Sequence, residues 1–126
     1  MNAKYFVVAS RTLVAVGFIG HGALAAAPGE AAFRNRCATC HSLTSGVSSI
    51  APDLTGVIGR KAGSVKDYQY SPALRNAAFV WTPEKLNEWL ASPHNAVPET
   101  EMAFPGLKSE KERADIVEFL KQRQAK

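Results

Sequence analysis

Cys37, Cys40 and His41 are the residues of this 126-residue sequence whose types and spacing suit joint chemistry. They lie in the stretch Arg34-Asn35-Arg36-Cys37-Ala38-Thr39-Cys40-His41, which holds the chain's only two cysteines. Two thiols three positions apart with an imidazole directly behind suit four uses: structural zinc, a redox dithiol, a disulfide, or covalent haem attachment. A closed zinc site takes four protein ligands. Past residue 25 the histidines and cysteines are this triplet and His94, and adjacent Cys40 and His41 point poorly at one metal. A redox dithiol belongs beside a βαβ pattern, which is absent. A disulfide suits an oxidising compartment but leaves His41 without a task. Haem attachment employs all three. Each thiol adds to one vinyl group, the spacing lets both reach the same ring edge, and the next residue brings its imidazole to the iron.

A sixth iron ligand is then needed, or deliberately none. Apart from Met1, the one methionine is Met102, 61 residues beyond His41 in the proline-bounded stretch Val97-Pro98-Glu99-Thr100-Glu101-Met102-Ala103-Phe104-Pro105-Gly106. Methionine often fills gaps in a core, but here no helical stripe carries it inward. A His/Met pair is a ligation used for electron transfer. His94 is the competitor and would give bis-histidine iron at a lower potential.

Residues 1–25 carry Lys4 and Arg11, run through an apolar stretch from Thr12 to Ile19, and end in Ala23-Leu24-Ala25. The apolar part is too short for a permanent span, so the segment is expected to be a secretory signal. Cleavage is expected after Ala25, with Ala26 and Ala27 as alternatives; an uncleaved anchor is the competing reading. Of 15 lysines and arginines against 11 acids, removal of Lys4 and Arg11 leaves 13 against 11, net +2. No basic run of the kind a nucleic-acid binder needs is present. The mature chain, residues 26–126, is a single small domain, and domains of about a hundred residues often rely on a metal, disulfide or cofactor.

The elements that must position these residues are helical. Pro28 and Gly29 open a helix expected to end near Cys37. A short helix starts from Ser71. Thr82 caps another, with Pro83 at its first position and Leu86, Trp89 and Leu90 as its buried stripe, stopped by Pro93. Ser109 caps the last, with Ile116, Phe119 and Leu120 facing inward. From His41 to Val65, and from Ser92 to Leu107, the sequence reads as loop. An all-α fold of about four helices is expected. Loops of this length in so small a domain are a second sign that something large fills the space between them.

The mature chain resembles class I cytochromes c of the mitochondrial and bacterial c2 type over nearly its whole length. Gly29 and Phe33 precede Cys37 by eight and four positions, as the family's first-helix glycine and aromatic do. Ala51-Pro52-Asp53-Leu54-Thr55-Gly56-Val57-Ile58-Gly59-Arg60-Lys61-Ala62-Gly63 resembles the pattern Gly-Pro-Asn-Leu-x-Gly-x-x-Gly-Arg-x-x-Gly. The Met102 stretch resembles Ile-Pro-Gly-Thr-Lys-Met-x-Phe-x-Gly. The resemblance implies the cytochrome c fold around one haem c held by Cys37 and Cys40, with His41 and Met102 as axial ligands. It gives Pro52 as acceptor for the His41 ring, Arg60, Tyr70, Trp81 and Thr100 as propionate contacts, and Phe104 at the exposed haem edge. It implies a monomeric periplasmic one-electron carrier rather than an enzyme, docking transiently with protein donors and acceptors and meeting membranes only through them. A peroxidase-like enzyme and a dedicated dehydrogenase subunit are the alternatives. Three departures stand out. Trp89 replaces a tyrosine near the ligand sulfur, and Leu74 replaces an asparagine that helps hold an internal water. His94, Asn95 and Glu101 replace lysines of the docking ring, with Glu99 as a further acid and Arg36, Lys61 and Lys108 remaining. A different or less salt-sensitive partner is expected.

Overall fold

The computed structural model describes residues 26–47 and 50–124; the expected signal segment lies outside the described residues. Among the described residues five helices follow one another: α1 Pro28–Arg36, α2 Pro72–Arg75, α3 Pro83–Ala91, α4 Pro93–Ala96 and α5 Glu110–Lys121. Among the described residues the β pairing is one isolated antiparallel bridge between Lys61 and Val80. The expected all-α fold is the observed one. No helix among the described residues is long and apolar enough to cross a membrane.

Local chemistry sets the helix starts. The Ser71, Thr82 and Ser109 hydroxyls accept from the amides of Leu74, Lys85 and Glu112 at 3.3, 3.1 and 3.2 Å. Each satisfies one of the amides a helix start leaves unpaired. α1 has no side-chain cap; it starts with a proline at its first position, where the missing N–H would be unpaired anyway. One expectation needs correction. The stretch after Ser92 does not begin as extended loop: Pro93–Ala96 forms the single helical turn α4. Ser92 is extended and Pro93 has φ fixed for a first helical position, the same Ser/Thr-Pro device that starts α2 and α3.

α1 and α5 cross closely, and α3 packs on α5. Phe33 and Phe119 stack with ring centroids 5.5 Å apart, both almost fully buried. Their crossing depends on Gly29: a Cβ there would lie 2.7 Å from that of Phe119 and would also strike the Asp115 carbonyl. Ile116 and Leu120 are sealed beneath, and Leu86, Trp89 and Leu90 of α3 complete the cluster. The stripes read from helical period are the buried ones. The core is therefore a bracket of three helices, with the segments between α1 and α2 and between α4 and α5 wrapped in front of it.

Candidate haem site

A central cavity of about 290 Å³ lies between the bracket and these loops. Cys37, Cys40, His41, Pro52, Arg60, Tyr70, Trp81, Thr100, Met102 and Phe104 all line it. Ten residues drawn from sequence positions 37 to 104 thus meet around one space, with Leu54, Leu74, Leu86, Leu90, Ile116 and Leu120 adding apolar wall.

The thiols sit just past the end of α1. The Cys37 amide bonds back to the Phe33 carbonyl at 2.8 Å, and the His41 amide to the Cys37 carbonyl at 2.9 Å. This one tight turn aims Cys37, Cys40 and His41 together. Both thiols are free, Cys37 half-buried and Cys40 exposed. Burial, reinforced by Glu112 and opposed by Arg36, pushes the Cys37 thiol up to about 11, so it is neutral at physiological pH.

His41 Nδ1 lies 2.8 Å from the Pro52 carbonyl oxygen. A carbonyl only accepts, so Nδ1 carries the proton and Nε2 keeps its lone pair. Burial lowers the imidazole's pKa, outweighing the opposing effect of the Pro52 bond, and nearby Arg60 lowers it further. The ring is neutral, as a metal ligand must be.

Met102 enters on a loop pinned at both ends. The Val97 amide bonds to Pro93 O at 2.9 Å, and the Leu107 amide to Leu90 O at 2.8 Å. Buried Arg113 then ties the exit down, donating Nη1 to the Leu107 and Lys108 carbonyls at 2.6 and 3.1 Å and Nε to Asn87 Oδ1 at 3.1 Å. Inside the loop the Met102 amide donates to Thr100 Oγ1 at 3.4 Å. Glu99 has φ +64°, where the family pattern has glycine. His94, by contrast, is exposed on α4 and is not among the residues lining the cavity.

The remaining wall is aromatic and polar. Trp81 stacks edge-on with Phe79 at 4.9 Å and with Trp89 at 5.2 Å. Tyr70 accepts from the Val65 amide at 3.3 Å, and burial raises its pKa, keeping the phenol neutral. Arg60 donates Nη2 to Asp53 O at 2.6 Å and Nη1 to Thr55 O at 3.2 Å. Asp53 and Arg113 escaped the reading of the sequence. A charged residue interrupting an otherwise apolar helix face, as Arg113 does beside Ile116, is the signal that could have found the second.

The donor set fits a planar, largely apolar group held at one edge by two thiols. An imidazole nitrogen and a soft thioether share the same apolar chamber. Among the described residues no three His, Cys, Asp or Glu side chains group as a metal cage would require, which weighs against zinc.

Comparison with known proteins decides the family. The sequence model of the family described as Cytochrome c matches residues 26–124. The chain belongs to the cytochrome c family. It is 47% identical over 93 residues to cytochrome c of Euglena viridis, covering 74% of this chain and 91% of that protein. It is 42% identical to cytochrome c type-1 of Ascaris suum over 75% of this chain and 84% of that protein. Among solved structures, cytochrome cH from Methylobacterium extorquens superposes with a TM-score of 0.71 at 40% identity, over 77% of this chain and 97% of that one. The cytochrome c fold, the electron-carrier family and the expectation of haem c in that family follow.

Proposed function

We propose that the chain is an exported one-electron carrier in which Cys37 and Cys40 would tether haem c and His41 and Met102 would bind its iron. The convergence of both thiols, the Nδ1-anchored imidazole and the methionine sulfur on one apolar cavity carries this reading. When bound, the haem supplies a reversible Fe(III)/Fe(II) couple. The Pro52 carbonyl fixes the tautomer and plane of His41. The Met102 thioether is soft and favours ferrous iron, and the leucine and isoleucine walls exclude water; both move the potential to the positive side. Arg60, Tyr70, Trp81 and Thr100 serve as propionate contacts, and Phe104 borders the edge through which partners exchange electrons. The contact with donor and acceptor is small and short-lived, as for other redox encounters.

Residues 1–25 direct export and are removed, so the working protein is periplasmic and residues 26–126 form the carrier. The peroxidase-like alternative needs an acid–base group beside an exchangeable iron position. Its one candidate, His94, is exposed and apart from the cavity lining.

The test is the visible spectrum of matured protein, with carbon monoxide added to its reduced form at neutral pH. A six-coordinate carrier gives c-type bands, a weak long-wavelength methionine band in the ferric state, and no spectral change with carbon monoxide. A colourless protein, or ready carbon monoxide binding, refutes the proposal.

A further inference from the structure

Asp53 stands where the family pattern carries asparagine, and it is 4% exposed. It follows Pro52, whose carbonyl holds His41. Its Oδ1 accepts from the Thr55 amide at 3.2 Å and lies 3.6 Å from Arg60 Nη1. Arg60 in turn donates to the backbone carbonyls of Asp53 and Thr55. Arg60 lines both the central cavity and a second, more open hollow, whereas Asp53 lines only the second. The guanidinium thus borders the central chamber, and the carboxylate backs it from behind.

An asparagine would accept the Thr55 bond equally well. At that bond the aspartate differs from asparagine by its charge, placed where burial screens it weakly. Resting on the carrier reading, we propose that Asp53 and Arg60 form a charge-compensated positioning pair in which Asp53 cancels the field Arg60 exerts on the cavity and so lowers the reduction potential. Oxidising the iron adds one positive charge. A lone Arg60 opposes that change, and a carboxylate beside it restores the balance. Arg60 keeps its clamp on the loop in either case, so clamp and charge are separable.

The test uses matured holoprotein as wild type, Asp53→Asn, Arg60→Gln and the double variant. Each is titrated electrochemically, with the ferric methionine band and the denaturant midpoint recorded alongside. At a fixed applied potential, Asp53→Asn should raise the ferrous-to-ferric ratio by on the order of threefold, the scale of one partly screened charge. Arg60→Gln should lower it, and the double variant should lie between the two single variants. An Asp53 with only a structural role would lower the denaturant midpoint and leave the ratio unmoved. That result, with the methionine band intact, overturns the pair. If Asp53→Asn does not fold because Arg60 is left uncompensated, the double variant decides. Titration together with Arg60→Gln overturns the proposal, and a ratio above that of Arg60→Gln supports it. A wild-type chain without a haem couple overturns the carrier reading itself.

Discussion

Met102 shares the cavity with Trp89, and that residue's ring offers only an N–H donor. An indole cannot accept a hydrogen bond as a tyrosine oxygen can, so Trp89 can offer its neighbours a donor only. Replacing Met102 by alanine should open the iron to carbon monoxide and lower the potential markedly, because axial ligand identity is the strongest lever on it. Carbon monoxide titration of the reduced variant checks this. Glu99 presents a separate test. Its left-handed backbone costs a side-chain-bearing residue about 1–2 kcal/mol, partly offset because glycine loses more freedom on folding. Glu99→Gly should therefore stabilise the holoprotein by roughly 0.5 kcal/mol, read from its guanidinium midpoint. Cys37, Cys40 and His41 stood out in the sequence because their chemistry is rare and their spacing tight, and Met102 because it is the one methionine besides Met1; the fold brings all four to one cavity. The supporting bonds of Asp53 and Arg113 were not, since each depends on carbonyls brought close only by the folded loops.

The α1–α5 crossing is where a small change should cost most. Gly29→Ala puts a methyl against the Asp115 carbonyl and the Phe119 side chain. Overpacking of this kind typically costs about 1–3 kcal/mol. Phe119→Ala removes one ring of the stacked pair and should cost about 3–5 kcal/mol. Ser109→Ala, which only uncaps α5, should cost about 1 kcal/mol. Denaturant unfolding of the three holoproteins should find Phe119→Ala the least stable, Gly29→Ala next and Ser109→Ala nearest wild type. The starts of α2, α3 and α5 were readable because capping is written in adjacent residues. α4 was missed because a single turn of four residues shows no period, and only its Ser-Pro entrance marked it.

The molecule as a whole is a helical bracket and two long loops facing one another across a chamber. Without a group to fill that chamber, the apolar wall is left to water and the loops have little else to rest on. A Cys37→Ser/Cys40→Ser chain should accordingly show no cooperative thermal transition, as circular dichroism would report. The surface also differs from a simple cationic ring. Glu99 and Glu101 are exposed beside Met102, and Arg36 is paired with Glu112 at 2.8 Å. Electron transfer to a mitochondrial-type oxidase should be slow and only weakly dependent on ionic strength. Stopped-flow rates between low and physiological salt would test this; a fast reaction with steep salt dependence would contradict it. The chain's two tryptophans, Trp81 and Trp89, touch edge to face on the chamber wall. A porphyrin seated there would absorb their excitation energy, leaving the native protein almost dark under ultraviolet light. Emission should brighten only as the loops part, giving the folded state a built-in optical gauge that needs no added dye.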